Sequence, residues 1–329
     1  MHTSSPFTNR VFVGREREMA ALHANLEDAF IGSGRLVLLI GEPGIGKTRT
    51  AYELTTHARM RGARVFNGRC YEGEGAPPFW PWVQVVRSYL HDCDLDTLRA
   101  DLGTGAVDIA KVLSDVRTRL PVLPTSPTLT SAHTRFRFFD SFTTFLKNVA
   151  RRQALVLILD DLHWADASSL LLLQFLVREL DDAPLLIIGM CRDIELELHH
   201  PLRQTLGELM RESGSQAIPL RGLTEREVAS FIQNTTGLPP EEELITAVHQ
   251  QTEGNPFFLT EVVRLLASEG HQSQIPTPQS VSALPIPQRV FDVISRRFAR
   301  LSEVCLRVLT LASVVGREFA LEVLKRASD

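Results

Sequence analysis

The order of elements in this sequence predicts an α/β fold, a parallel sheet with helices on both faces. Three observations lead there. Five short apolar runs, at 35–40, 64–67, 155–159, 185–190 and 217–220, read as buried strands. Amphipathic stretches at 47–61, 81–91, 135–152 and 168–180 separate most of them. A glycine-rich turn joins the first run directly to the helix that follows it.

Taken in order, residues 16–31 open the chain with Met19, Leu22, Leu26 and Phe30 at a period near 3.6, a helix. The stretch 168–180 is apolar on nearly every side, so deep burial is expected. Residues 120–130 hold three prolines among small polar residues and read as a loop. Residues 223–270 look all-helical, and Thr224 with Glu227 three positions on forms a capping-box pattern. Residues 271–288 carry four prolines with serine and glutamine, a linker composition. Beyond it, 290–301 and 302–315 read as two more helices. The pattern is still in progress at Asp329, so a fragment of a longer protein is expected. The expected division is 1–222, 223–270, a linker 271–288, and 289–329.

Composition narrows the function classes. Of 329 residues, 44% are apolar and 22% charged, and the formal net charge is −4. That balance gives no global drive toward nucleic acid or anionic lipid. No run approaches the roughly 18 apolar residues needed to span a bilayer, and residues 1–10 lack the apolar core of a signal peptide. A soluble, cytoplasmic protein is expected, with Cys70, Cys93, Cys191 and Cys305 reduced. Histidine spacing suggests no metal enzyme. His199 and His200, ahead of Pro201, read as loop.

The glycine-rich turn is Gly41-Glu42-Pro43-Gly44-Ile45-Gly46-Lys47-Thr48. Between a strand and a helix, this spacing is that of a phosphate-binding loop. Gly41, Gly44 and Gly46 permit backbone angles and close approaches that a Cβ would block. Main-chain amides can then converge on phosphate oxygens at the positive end of the following helix. Lys47 is one of only four lysines among 35 basic residues. A compact ammonium fits between β- and γ-phosphates where a planar guanidinium does not. The Thr48 hydroxyl suits Mg²⁺, which prefers hard oxygen ligands. The expected ligands are ATP or ADP with Mg²⁺.

The run 154–159 ends in Asp160-Asp161, carboxylates delivered to the crevice at the C-terminal edge of a sheet. Asp160 is the candidate for the Mg²⁺ shell, and Asp161 for orienting the attacking water. Asp161 is one methylene shorter than glutamate, which points to slow hydrolysis. Trp164 reads more readily as a packing residue, His163 has no assigned role, and Asp166 reads as the cap of the next helix. Arg192, just past the fourth strand, either contacts the γ-phosphate or pairs at the surface with Asp193.

Together these residues resemble the STAND class of P-loop ATPases, above all the AAA-type module of large LuxR-type regulators and related multidomain signalling proteins. The likeness covers nearly the whole chain. It rests on residues 12–22, the phosphate loop, residues 68–86, the run from Asp160 to Asp166, Arg192, and residues 253–263. The resemblance implies a P-loop NTPase sheet of order 5-1-4-3-2, then a helical lid, then the start of a winged-helix domain. It implies that Val13, Gly14 and Arg15 contact the base and that Pro256 packs against adenine. It also implies a slow ATPase switch, self-association in the ATP state, and an inducer recognised by domains beyond this sequence. Any DNA contact would be made through such domains. A finger from a neighbouring subunit would fall to Arg151 or Arg152, which otherwise read as a solvated helix end. Two rival readings stand beside the switch: a DNA-associated AAA-type remodelling or initiator ATPase, and a nucleotide-binding scaffold that does not hydrolyse.

Overall fold

Five parallel strands run β1 (Arg35–Gly41), β2 (Arg64–Arg69), β3 (Leu155–Asp160), β4 (Leu185–Arg192) and β5 (Ser215–Pro219). Their spatial order is β2-β3-β4-β1-β5, the implied 5-1-4-3-2 read from the other edge. In this computed structural model residues 11–72, 75–121, 131–192, 201–269, 295, 298 and 301–315 are described. The chain divides into two units, Met1–Gly222 and Leu223–Asp329, with the sheet in the first. The proline-rich segment 122–130, the linker 271–288, most of the helix expected at 290–301, and Asp193, His199 and His200 lie outside the described residues.

The strands are continuous apolar runs because both faces are covered. Leu36, Leu38, Leu155, Leu157, Leu185 and Ile187 point into one core, while Val37, Leu39, Val156, Ile158, Leu186 and Ile188 point into the other. Helices α1 (Glu16–Phe30) and α2 (Lys47–Met60) cover the second face. The first is covered by α3 (Trp80–Asp92), α7 (Ser131–Arg152), α8 (Ala167–Arg178) and α9 (Pro201–Leu209). Between α3 and α7 lie three short helices the periodicity did not reveal: α4 (Leu95–Leu102), α5 (Ala106–Val112) and α6 (Ser114–Arg119). Each is eight residues or fewer, and Gly103 and Gly105 interrupt the run, so none fills a periodic window.

Aromatic rings make this side of the core. Trp82, Tyr89, Phe138, Phe142 and Phe145 are all buried, and most of their contacts are edge-to-face. Burying each contributes roughly 1.5–3 kcal/mol. Asp101 is buried among them, accepting from Tyr89 Oη at 2.6 Å and Arg152 Nε at 2.5 Å. Arg151 reaches Asp182 at 2.7 Å, so the end of α7 is ion-paired rather than simply solvated. The burial expected for 168–180 is found at Leu170, Leu172, Leu173, Leu176 and Val177, while Leu171 is 41% exposed.

The second unit contains α10 (Glu225–Thr236), α11 (Glu242–Thr252), α12 (Pro256–Glu269) and α13 (Glu303–Val315). The Thr224 side chain accepts from Glu227 N, and Glu227 Oε2 accepts from Thr224 N at 2.7 Å, closing the capping box. Gly254 adopts φ 67°, and a Cβ there would lie 2.0 Å from the Leu223 carbonyl oxygen. The turn before α12 therefore sits directly against the start of the unit.

Candidate functional site

β1 delivers the phosphate loop and α2 receives it. Gly44 and Gly46 hold φ of 86° and 103°, angles disfavoured for residues with a Cβ. Gly41 is restricted by space instead, since a Cβ would come within 2.7 Å of the Leu220 carbonyl and 2.9 Å of Ile45 Cγ2. No side chain caps α2 at Gly46, and its first turn carries no acid. The amides and dipole of that turn suit an anion. Thr48 is exposed at the mouth, Glu42 and Gly44 are exposed, and Pro43 is half-buried. Lys47 Nζ donates to the carbonyls of Gly41 and Glu42 at 2.7 and 2.9 Å, curled over its own loop.

Residues 12–18 brace this loop. Gly14 and Arg15 both take positive φ, 66° and 70°, before α1. Arg15 is buried, and its Nη2 donates to the Ile45 carbonyl at 3.1 Å while Nη1 reaches Glu18. Its guanidinium is thus committed to the loop. Val13 and Gly14 are half-buried beside it in sequence. Pro256 begins α12 in the second unit, after Asn255, whose Oδ1 accepts from Phe257 N at 3.1 Å.

Three strand ends meet beside the loop. Gly41 at the end of β1 is in register with Arg192 at the end of β4, and β3, ending at Asp160, flanks β4 on its other side. The charges sense one another. Burial pushes the Lys47 ammonium down, opposed by Cys191 and Asp160, while Arg192 pushes the same way as burial. Asp160 is pushed up, first by burial and then by the neighbouring Asp161 charge, and eased by Arg69 and Lys47. Lys47, Asp160, Asp161 and Arg192 therefore form one electrostatic cluster.

Past β3 the chain turns sharply. Asp161 takes φ 56°, and Leu162–Trp164 form a 3-10 turn closed by Trp164 N on the Asp161 carbonyl at 2.8 Å. Leu162 is buried over β4, where a Cβ on Gly189 would lie 2.6 Å from its Cδ1. Asp166 caps α8, accepting from Ser169 N at 3.0 Å. Trp164 is 39% exposed, with the Arg192 guanidinium 5.9 Å from its ring centroid, so its surroundings are those of the site mouth rather than the core.

Two residues escaped the sequence reading. Arg69, at the end of β2, holds Asp161 Oδ2 through Nε at 3.0 Å and Nη2 at 2.9 Å, and the carboxylate keeps the guanidinium firmly protonated. The signal lay in the sheet order: β2 beside β3 sets Arg69 in register with Asp160. His163 is the second, buried next to the cluster.

The donor set fits Mg²⁺ coordinated partly by phosphate. An exposed hydroxyl at Thr48 and a carboxylate at Asp160 are hard oxygens, and among the described residues no three His, Cys, Asp or Glu side chains converge as a protein-only cage.

A model of the AAA ATPase domain family matches residues 11–188, more than half the chain and all of β1, β2 and β3 with their loops. The chain belongs to the AAA ATPase domain family. An uncharacterized protein of Rhizobium meliloti (strain 1021) is 22% identical over 332 residues, covering 95% of this chain. The chain spans 30% of that relative's length. The ORC2 protein of Aeropyrum pernix, in ADPNP–ADP complexes, aligns at a TM-score of 0.56 with 14% identity, over 98% of this chain and 81% of that one. A Walker-type ATPase of Pyrococcus abyssi aligns at 0.51 with 13% identity, over 96% and 88%. A STAND protein with a tetratricopeptide-repeat sensor from Pyrococcus horikoshii aligns at 0.47 with 17% identity, over 99% and 38%. The AAA ATPase domain here thus has the P-loop NTPase sheet, and the loop, Asp160 and Asp161 all lie within its matched span. Among the described residues no helix is long and apolar enough to cross a membrane.

Proposed function

We propose that this AAA ATPase domain is the nucleotide-operated switch of a larger signalling protein, binding ATP with Mg²⁺ and hydrolysing it slowly. The observation that carries the reading is the meeting of Gly41, Arg192 and Asp160 at adjacent strand ends, beside a loop that supplies Lys47. The loop amides and the α2 terminus bind the phosphate tail. Lys47 leaves the Gly41 and Glu42 carbonyls to share the β- and γ-charge. Arg192 moves off the Trp164 ring to report the γ-phosphate. Thr48 and Asp160 would hold Mg²⁺, which would supply charge neutralisation at the phosphates. Asp161 orients the attacking water. Val13, Gly14 and Arg15 serve the base, Arg15 through its grip on the loop. The switch operates by differential affinity: a few kcal/mol between the ADP and ATP states is enough to shift a two-state equilibrium. In the ATP state the domain self-associates in the cytoplasm.

One observation favours a second reading, a scaffold that binds nucleotide without turnover. Arg69 occupies the carboxylate oxygen that Asp161 would offer to water.

Titration calorimetry with ATP and ADP tests the site. Lys47→Ala is expected to lose binding of both, and unchanged affinity would overturn the assignment. Single-turnover measurement with labelled ATP and Mg²⁺ separates the two readings. Phosphate released over minutes to hours supports the switch, and none released supports the scaffold.

A further inference from the structure

His163 is a polar ring where an apolar one would pack at less cost. It is 5% exposed, yet neither Nδ1 nor Nε2 has a hydrogen-bond partner among the described residues. Leaving such a group unsatisfied is destabilising, because its lost hydration is not repaid. Its direction is set by its neighbours. The 3-10 turn Leu162–Trp164 is pinned at its start by Trp164 N on Asp161 O and wedged by Leu162 over Gly189. That turn aims Nε2 at Asp161 Oδ1, 3.8 Å away, longer than a hydrogen bond but closed by a small carboxylate rotation. The other carboxylate oxygen of Asp161 is held by Arg69, whose side chain is 72% exposed.

Asp161 therefore stands between two donors of different kind. Arg69 is a solvated cation, held weakly because water competes for it. His163 is a buried donor, and its turn is already ordered. Burial, with the Arg192 charge beside it, pushes its pKa down to about 4, so at neutral pH the ring carries one proton. The carboxylate facing Nε2 is Asp161, an acceptor for a proton carried on that nitrogen.

We propose that His163 is a positioning residue for hydrolysis: when the carboxylate leaves Arg69, His163 Nε2–H takes Asp161 Oδ1 and fixes the other oxygen toward the attacking water. The inference rests on the reading of Asp161 as the water-orienting group. The Arg69-held carboxylate is the resting arrangement and the His163-held one is the working arrangement. No proton changes owner in the handover; one hydrogen bond replaces an ion pair. Asp161 is shorter than glutamate, so an external donor that fixes its rotation matters more here than it would for a longer side chain.

Two measurements on the full chain test this. Side-chain ¹⁵N NMR of histidine-labelled protein with Mg²⁺ and a non-hydrolysable ATP analogue should show a neutral ring protonated at Nε2, with a resonance that moves on Asp161→Asn. A ring protonated at Nδ1, or an Nε2 signal indifferent to Asp161→Asn, overturns the proposal even in a protein that hydrolyses nothing. Kinetics give the second arm. His163→Phe should lower kcat by about tenfold or more while nucleotide Kd stays within about twofold, and His163→Gln, which keeps an N–H near the Nε2 position, should recover most of the loss. In an Asp161→Asn background His163→Phe should have no further effect. Full turnover in His163→Phe, or an additive double variant, overturns the proposal. If the wild-type chain releases no phosphate, the hydrolysis reading fails and the NMR result alone decides the contact.

Discussion

At the scale of single residues, the site is built from side chains held away from their comfortable states. Lys47 and Asp160 are both partly desolvated, and His163 is kept neutral. His163 makes a testable contribution to stability. Its folded-state pKa of about 4 lies below the ordinary 6.5, so between those values the unfolded chain binds a proton the folded chain refuses. Stability is therefore lost as pH falls through that window, by up to about 3 kcal/mol. Urea unfolding at pH 7.5 and 4.5 should show a smaller acid penalty for His163→Gln than for the wild type. Equal penalties would place the ring in contact with water. Of these residues, Lys47, Asp160 and Arg192 were legible in the sequence because glycine spacing and strand ends are local signals. His163 and Arg69 were not. The first depends on how deeply one turn is packed, and the second on which strands become neighbours.

At the scale of elements, close approach of backbones sets the geometry. The first turn of α3 lies on β2 because Gly68 has no side chain: a Cβ there would sit 2.3 Å from the Pro81 carbonyl oxygen. The obstacle is main chain and cannot rotate away. Gly68→Ala should therefore displace α3 and cost about 1–3 kcal/mol in urea denaturation. It should also disturb the adjacent Arg69, and unchanged stability would mean that α3 is not packed as described. The five strands could be read from apolar runs, to within one or two residues at most ends. The glycine at 68 could not, since a small residue near the end of a short run carries no sign of what lies above it. The short helices between Leu95 and Arg119 were missed for a related reason: α4 and α5 pack on α7 and α6 packs on α5, so each gains its order from neighbours rather than from its own periodicity.

At the scale of the whole molecule, the two units predict a differential response to ligand. Nucleotide at about a hundred times its Kd adds about 2.7 kcal/mol to the folded state that binds it. For a unit of this size that raises the unfolding temperature by roughly 5–10 °C. Calorimetry with Mg²⁺ and ADP should show the rise in the transition of the sheet-containing unit, and Lys47→Ala should abolish it. A rise that persists in that variant would move the binding site elsewhere. The strand order was legible only through the family likeness, because nothing in the apolar runs themselves says that the fourth inserts between the first and third. That insertion also constrains biosynthesis. Among the described residues β1 pairs with β4 and β5 and with no other strand, so the chain that carries the phosphate loop emerges from the ribosome before residues near 192 and 219, the partners it joins, have followed it. Throughout that interval a sticky Leu-Val-Leu-Leu-Ile segment stands unmated, and helper proteins that shield nascent chains would have their strongest claim on it.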